Sequence, residues 1–188
     1  ADLYSPGPPT RRVPSMIQRK KRIVLFMPLR ADPEEGVRVA ADLLPLELLQ
    51  IAAWPVQEGY DVGIVDAMVH DNYMERLMDL CDGAMLFATS CILGFQVAHG
   101  ARVASAIRER HPDLPIIWGG WFPSVTPELY IEQGIADAVG IGQGELTFRD
   151  VVNCIASGGK RRVQAWRRGR RRPRRVGGRS GTGGRRVA

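Results

Sequence analysis

The sequence predicts an α/β domain of the flavodoxin-like, or Rossmann-like, class, with a doubly wound sheet of five parallel strands in the order 2-1-3-4-5. Two observations support this prediction. Short apolar runs alternate with helical patterns between residues 22 and 157, which is typical of a parallel sheet wrapped by helices. The apolar runs also lack a polar and apolar alternation, so both faces of the sheet are expected to be covered. The length of 188 residues allows one such domain with appendages.

The predicted strands are the continuous apolar runs of the chain. They span residues 23–27, 62–65, 84–88, 115–118 and 138–141. In a sheet of the predicted order, a ligand is expected outside the carboxyl ends of the strands, where the first and third strands separate.

The predicted helices follow these strands in turn. They lie near residues 45–59, 71–81, 97–111, 126–134 and 145–155. The first pattern contains Pro55, which predicts a kink or an early end of that helix. The fourth begins with Thr126, Pro127 and Glu128, a combination typical of a helix N-terminus.

Charge is distributed unevenly along the chain, although the total is +6. Residues 1–157 hold 13 basic and 20 acidic side chains, whereas residues 158–188 hold 13 basic and no acidic ones. A nucleic-acid partner is therefore possible only through the basic tail. That tail is rich in Arg and Gly and has no apolar periodicity, so residues 158–188 are expected to be disordered and outside the fold. The predicted organisation is a proline-rich arm over 1–20, a ligand-binding domain over 21–157 and this tail.

Several classes of protein are disfavoured by the composition. No apolar run reaches 18 residues, so no membrane span is expected, and the first 20 residues lack the apolar segment of a secretory signal. Cys81, Cys91 and Cys154 lie far apart, which argues against a disulfide framework and favours a reducing, cytoplasmic location.

The connections after the predicted strands are unusual and indicate a ligand site. The first, over residues 28–44, has 17 residues, whereas such connections are commonly about 2–6 residues long. Residues 89–94, 119–124 and 140–145 follow the third, fourth and fifth strands, and the last two are glycine-rich. Glycine lets the backbone approach a ligand closely, and Trp121 and Phe122 add flat apolar area. This edge is therefore expected to hold a large, mostly neutral, planar ligand.

Other ligands are less well supported by the motifs. Neither a Walker-type Gly-Lys-Ser/Thr triplet nor a G-x-G-x-x-G fingerprint follows the first strand. A receiver domain would need clustered acids after the first and third strands and a lysine after the fifth, yet residues 22–159 contain no lysine. Flavin mononucleotide would need a Ser/Thr-rich phosphate loop where the chain has Pro28-Leu29-Arg30-Ala31.

The order of motifs resembles the N-terminal cobalamin-binding domain of cobalamin-dependent radical S-adenosylmethionine enzymes. The resemblance covers roughly residues 22–157. It rests on Pro-Leu-Glu-Leu-Leu at 45–49, Gly-Tyr-Asp-Val at 59–62 with Asp66, Trp-Gly-Gly-Trp-Phe-Pro-Ser at 118–124, and Gly-Ile-Gly-Gln-Gly-Glu-Leu-Thr-Phe at 140–148. Gln143 stands where the family's Gly-Glu-Gly-Glu stretch has its first glutamate.

The resemblance implies that the loops after the first, third, fourth and fifth strands line a cobalamin, with its nucleotide tail against the sheet. The implied cofactor-binding residues are Pro28, Leu29, Arg30, Ser90, Cys91, Ile92, Gly119, Gly120, Trp121, Phe122, Pro123, Ser124, Gly142, Gln143, Gly144 and Glu145. Residues 30–36 contain no histidine, so the lower face of the cobalt is expected to lack a protein histidine, with Leu29 or Arg30 near that face. No metal ligand and no catalytic residue is expected in the chain.

The family's radical chemistry uses a 4Fe-4S cluster on Cys-x3-Cys-x2-Cys together with S-adenosylmethionine. The three cysteines here are spaced by 10 and 63 residues, so this motif is missing. The chain is therefore interpreted as a truncated or frame-shifted product, or as a stand-alone binding domain that is not catalytic alone. The alternatives are a non-catalytic cobalamin carrier or sensor, and a flavodoxin-like nucleotide-binding domain with a nucleic-acid-binding tail.

Purely structural roles compete with the ligand roles at several positions. Ser90 could cap the following helix, Glu145 could favour a helix N-terminus, and Cys91 could be a small buried hydrophobe. Trp121 and Phe122 could pack at the rim instead of touching a ligand. His70, His99 and His111 are interpreted as surface or helix-end residues. Each alternative makes a different prediction about burial.

Overall fold

A computed structural model describes the protein in residues 20–32, 43–158 and 163–166. Most of the predicted N-terminal arm, residues 33–42 of the first connection and most of the predicted tail lie outside these residues. The described helices include none that is both long and apolar enough to span a membrane.

The described residues form one sheet in which every strand pair is parallel. Its strands are β1 (Lys20–Met27), β2 (Tyr60–Asp66), β3 (Leu86–Ser90), β4 (Ile116–Gly119), β5 (Ala138–Gly140) and β6 (Val163–Trp166). Their order in the sheet is β2-β1-β3-β4-β5-β6. The five predicted strands and their 2-1-3-4-5 order are therefore confirmed. The register aligns the carboxyl ends, since Met27 pairs with Asp66 and Ser90 pairs with Gly119.

Strand β6 differs from the sequence prediction, which placed residues 158–188 in a disordered tail outside the fold. Its backbone extends the sheet beyond β5, with Val163 opposite Ala138 and Trp166 opposite Gly140. For residues 163–166 the prediction is wrong. The physical reason is that the free edge of β5 offers unpaired backbone groups to a short segment that begins with a β-branched residue and ends with an aromatic one.

Within the described ranges, six helices connect or follow the strands. They are α1 (Leu46–Gln57), α2 (Tyr73–Cys81), α3 (Phe95–Arg110), α4 (Trp121–Val125), α5 (Pro127–Glu132) and α6 (Gly144–Ala156). Helix α1 continues two residues past Pro55, which is buried, so the expected early end at this proline is wrong. The short helix α4 was not predicted, because the sequence indicated a loop over residues 119–124. It begins after Gly120, whose φ of +98° is accessible chiefly to glycine.

The two faces of the sheet bury separate apolar clusters. Val24 and Phe26 point to one face, where they pack with Phe87, Trp118 and residues of α2, α3 and α5. Ile23, Leu25 and Met27 point to the other face, where they pack with residues of α1 and α6. Covered faces are the reason why the strands read as continuous apolar runs in the sequence. The carboxyl edge of the sheet is left for the loops that form the candidate site.

Candidate cofactor site

A cavity of about 190 Å³ opens at the carboxyl ends of β3, β4 and β5, on the face covered by α1 and α6. The strands and the loops that follow them contribute Ala88, Thr89, Ser90, Ile117, Trp118, Gly119, Gly120, Gly140 and Gly142. The helices contribute Glu47, Gln50, Ile51, Gly144, Glu145, Thr147, Phe148 and Val151. The cavity thus lies at the carboxyl edge of the sheet, as predicted, but beside β3, β4 and β5 and not at the point where β1 and β3 separate.

The exposed part of the cavity lining includes polar side chains, and its buried part is mostly apolar apart from Thr89 and Thr147. Ala88, Ile117 and Phe148 are buried, whereas the side chains of Gln50 and Glu145 reach solvent. An apolar base below a polar opening suits a flat, neutral heterocycle with hydrogen-bonding groups at its outer edge. No group of three or more His, Cys, Asp or Glu side chains in the described part of the chain could hold a metal ion.

Six of the sixteen residues implied by the resemblance line the cavity. They are Ser90, Gly119, Gly120, Gly142, Gly144 and Glu145. The lining residues of α1, together with Thr147, Phe148 and Val151 of α6, were not predicted, because the glycine-rich motifs point to the loops and not to the helices. A usable signal was the position of Glu47 and Thr147 within the first turns of helices that begin at the carboxyl edge.

The loop after β3 and the loop after β4 are interlocked through their backbones. The N–H of Cys91 donates to the carbonyl of Gly119 at 3.2 Å, and the N–H of Phe122 donates to the carbonyl of Ile92 at 3.2 Å. A Cβ atom on Gly120 would lie 2.2 Å from the carbonyl oxygen of Cys91. Gly120 is therefore required by the contact between two loops as well as by its own positive φ.

Ser124 connects the loop after β4 to the loop after β5. Its hydroxyl donates to the carbonyl of Gly120 at 2.7 Å, with the carbonyl of Gly140 at 3.3 Å as a second acceptor within reach. Its Oγ also accepts the N–H of Gly142 at 3.2 Å. The side chain thus holds three glycines that line the cavity, and it does not line the cavity itself.

Three of the implied cofactor-binding residues do not line the cavity: Cys91, Phe122 and Pro123. Cys91 is buried, and its thiol shares a hydrogen bond with the Tyr130 hydroxyl at a distance of 3.8 Å. Burial raises the pKa of the Cys91 thiol to about 11, an effect that the Tyr130 contact partly offsets. Phe122 meets the Tyr130 ring edge-to-face at 6.5 Å, and Pro123 is buried. For Cys91, the structure agrees with the interpretation as a small buried hydrophobe.

Exposed apolar side chains lie on the loop after β3 and on α4, which follows β4. We define the apolar rim as Ile92, Leu93, Trp121 and Val125, each of which has more than half of its side chain exposed. Gln143 is also exposed. Exposed apolar side chains on adjacent, interlocked loops are typical of a surface that covers a ligand or a partner.

The loop after β1 packs against α3. Pro28 is buried, and a Cβ on Gly100 of α3 would lie 3.1 Å from its Cγ atom. Leu29 packs partly buried against the core. Arg30 is half-buried, and its Nη1 atom has no hydrogen-bond partner among the described residues. None of these three residues lines the cavity.

The histidines and Asp66 differ in their surroundings. His99 is only 4% exposed and its Nδ1 accepts the N–H of Leu29, so its interpretation as a surface or helix-end residue is wrong. His111 follows α3 as its C-cap residue, as expected. His70 bonds through Nδ1 to the carbonyl of Asp66 at 3.0 Å.

The buried carboxylate of Asp66 accepts the N–H of Met68, while its Oδ2 atom has no partner in the described part of the chain.

The structure distinguishes the roles that the sequence left open for Ser90 and Glu145. Ser90 does not cap α3, because the N-cap position of that helix is Gly94, and Ser90 lines the cavity instead. Glu145 lies in the first turn of α6 and also lines the cavity, so both interpretations of this residue apply.

A family model described as the B12 binding domain matches residues 36–152. The chain therefore belongs to the B12-binding domain family, and the resemblance to cobalamin-binding domains seen in the sequence is confirmed.

Two curated relatives and one solved structure are similar to the chain. The anaerobic magnesium-protoporphyrin IX monomethyl ester cyclase of Synechocystis sp. is 30% identical over 142 residues, which are 71% of this chain and 28% of the cyclase. An uncharacterized methyltransferase of Pyrococcus horikoshii is 29% identical over 119 residues, which are 61% of this chain and 25% of that protein. The chain thus spans about a quarter of the length of these relatives.

The solved structure is a cobalamin-binding protein from Desulfitobacterium hafniense. It matches 73% of this chain and 60% of its own length with a TM-score of 0.51 and 17% sequence identity. At this identity the match shows the shared fold.

Proposed function

We propose that this protein binds cobalamin at the carboxyl edge of its sheet and serves as the cobalamin-binding domain of a B12-dependent radical S-adenosylmethionine enzyme of the methyltransferase or cyclase type. The observation that carries the proposal is the position of the cavity. It lies at the carboxyl ends of β3, β4 and β5, inside the segment that matches the B12 binding domain.

The residues at this edge fit a cobalamin in two parts. The cavity of about 190 Å³ is smaller than the roughly 300–1,000 Å³ of a pocket that encloses a whole drug-sized ligand, so it would hold only the base of the nucleotide tail. The corrin ring is too large for this space and would cover the exposed apolar rim. Its neutral amide substituents agree with the scarcity of basic side chains in the lining.

Glycine leaves room for such a ligand at two positions in the lining. A Cβ on Gly119 or Gly142 would meet no atom within 4 Å, so the space next to each is open. A larger residue at either position would take up part of that space. Gly144 has a different role, because a Cβ at this position would lie 3.1 Å from Ile51. The lack of a side chain on Gly144 therefore lets α6 approach α1.

Bound cobalamin would supply a cobalt centre able to carry an alkyl group between substrates. The residues of the chain would bind and orient it: Ser90 and Glu145 at the opening of the cavity, and Leu29 and Arg30 in the loop after β1. Residues 28–44 contain no histidine, which supports a lower cobalt face without a protein imidazole.

The reaction type is inferred from the relatives, one named as a cyclase and one as a methyltransferase. This sequence contains no Cys-x3-Cys-x2-Cys motif. The 4Fe-4S cluster and S-adenosylmethionine would then be bound by another part of such an enzyme.

The test is a titration of the full chain with hydroxocobalamin, followed through the corrin absorption bands. We expect saturable binding at one equivalent, with bands shifted from those of the free cofactor. Gly119→Met places a side chain in the open space that the ligand would occupy. Displacing that side chain should cost over about 1 kcal/mol, so the Kd should rise by about tenfold or more.

Ala98→Met is the matched control, because it adds the same side chain to an exposed position on α3 outside the cavity. It should leave the Kd unchanged. Corrin bands identical to those of the free cofactor at saturating protein would overturn the proposal, as would an equal loss of binding in both variants.

A further inference from the structure

We propose that His99 is a positioning residue that fixes the loop after β1 for cofactor binding. This inference rests on the proposed function, because the loop concerned is one that the resemblance assigns to the cobalamin site. His99 itself lies behind the loop, on α3, and does not line the cavity.

A hydrogen bond joins His99 to the loop after β1. The backbone N–H of Leu29 donates to Nδ1 of His99 at 2.9 Å, although the two residues are 70 positions apart in the sequence. Because Nδ1 accepts, the neutral ring carries its proton on Nε2. That N–H lies 2.9 Å from the Tyr73 hydroxyl of α2, which accepts it.

The imidazole ring of His99 is held rigidly by aromatic side chains. It stacks on Phe95 with ring centroids 6.0 Å apart and planes 6° apart, and it meets the edge of Tyr73 at 5.3 Å. Phe26 of β1 lies 5.9 Å away on another side. A ring fixed on three sides places its acceptor nitrogen at one point, so it also places the N–H of Leu29.

Helix α3 also holds the loop after β3 through a buried side chain. Oε1 of Gln96 accepts the N–H of Ile92 at 2.8 Å, and Nε2 of Gln96 donates to the sulfur of Met27 at 3.2 Å. Gln96 and His99 are each 4% exposed. Two buried polar side chains, one turn apart on α3, therefore fix the starts of the loops that follow the paired strands β1 and β3. The resemblance assigns both loops to the cobalamin site.

The consequence is that the described start of the loop, around Leu29, is ordered before the cofactor arrives. Ordering a loop during binding lowers affinity, so a bond that orders the loop in advance raises it. This part of the loop also carries Arg30, whose buried Nη1 atom has no hydrogen-bond partner among the described residues.

The test compares His99→Asn with His99→Leu in the full chain. The amide oxygen of asparagine can accept the N–H of Leu29 near the position of Nδ1, whereas leucine fills space without an acceptor. We expect the hydroxocobalamin Kd to rise about tenfold in His99→Leu, the factor for one buried hydrogen bond, and to change less than about threefold in His99→Asn. Tyr73→Phe is the control, because it removes the partner of Nε2 and leaves the bond to Leu29.

A second readout follows the loop directly. Hydrogen exchange of the Leu29 amide should be slow in the wild type and in His99→Asn, and at least about tenfold faster in His99→Leu. If His99→Leu does not fold, the comparison of wild type, His99→Asn and Tyr73→Phe still applies, and exposure of the Leu29 amide in the wild type would contradict the inference.

Two further outcomes would overturn the positioning role. Equal losses of affinity in His99→Asn and His99→Leu would show a role in packing alone, and an unchanged Kd in His99→Leu would show that the loop needs no fixing. If the wild-type chain does not bind hydroxocobalamin, the proposed function fails, whereas the exchange rate of the Leu29 amide still reports whether His99 holds the loop.

Discussion

Gly120 faces the backbone carbonyl of Cys91 so closely that a Cβ at this position would lie 2.2 Å from the carbonyl oxygen. The contact joins the loop after β4 to the loop after β3, and two backbone hydrogen bonds reinforce it. Because backbone atoms cannot move aside as a flexible side chain can, the spacing of these loops depends on the absence of a side chain.

Gly120→Ala is therefore expected to destabilise the protein strongly. The backbone conformation of Gly120, with φ +98° and ψ −173°, costs an L-residue about 1–3 kcal/mol. Overpacking adds about 1–3 kcal/mol, so the free energy of unfolding should fall by about 2–6 kcal/mol. Urea denaturation followed by circular dichroism measures this change.

Gly119→Ala is the control for this prediction. Its Cβ meets no atom within 4 Å and its φ lies outside the left-handed region, so stability should change by less than about 1 kcal/mol. Equal stabilities of the two variants would show that the loops can separate without cost.

Ser124→Ala tests the connection between the loops after β4 and β5. Loss of the hydroxyl leaves the carbonyl of Gly120 and the N–H of Gly142 without this partner, which should cost about 1 kcal/mol of stability. The hydroxocobalamin Kd should rise several-fold, because Gly140 and Gly142 line the cavity. Ser157→Ala, which removes an exposed hydroxyl at the end of α6, should change neither quantity. A Kd unaffected by Ser124→Ala would argue that the spacing of these loops does not control binding.

The buried imidazole of His99 predicts a loss of stability in acid. Burial, and to a smaller extent the charge of Arg102, lowers its pKa from 6.5 to about 4, while Tyr73 faces it from α2 without a charge. The unfolded chain therefore binds a proton more readily than the folded one. The stabilisation is complete above about pH 6.5 and is lost as the pH falls toward 4, by an amount of order 3 kcal/mol.

Urea denaturation at pH 7 and pH 4.5 measures this contribution. Many carboxylates titrate in the same range, so the relevant quantity is the difference in pH dependence between the wild type and His99→Asn. The variant should lose less stability on acidification. Parallel curves for the two proteins would mean that His99 has an ordinary pKa in the fold.

The cysteines are expected to react unequally with a thiol reagent. Burial raises the pKa of Cys81 to about 12 and that of Cys91 to about 11, whereas Cys154 is half-buried. Since the thiolate is the reactive form, one equivalent of thiol should react quickly at pH 8 in the native protein and three in denaturant. Cys154→Ser should remove the fast equivalent. Rapid modification of Cys91 would show that the region beneath the rim opens readily.

The sheet could be predicted from the sequence because burial on both faces makes each strand a continuous apolar run. Strand β6 and helix α4 could not, since the first uses a free sheet edge and the second depends on the interlocking of two loops. His99 was misjudged for a similar reason. Its partner is a backbone N–H 70 residues away, and no local pattern marks such a contact.

The site was only partly predictable. The glycines at 119, 120, 142 and 144 were identified because they follow strands whose ends meet at one edge. The side of the cavity formed by α1 was not, because the packing of α1 against α6, which brings Glu47 and Gln50 to the cavity, depends on how two helices distant in sequence cover one face of the sheet.

The interlocking of the loops constrains how this edge could be redesigned. Replacing residues 119–124 alone would remove the glycine that faces Cys91 and the serine that reaches Gly142, and so would disturb two segments left unaltered. Redesigning this edge for a different ligand would require residues 90–94, 119–124 and 140–144 to be exchanged together as a single graft.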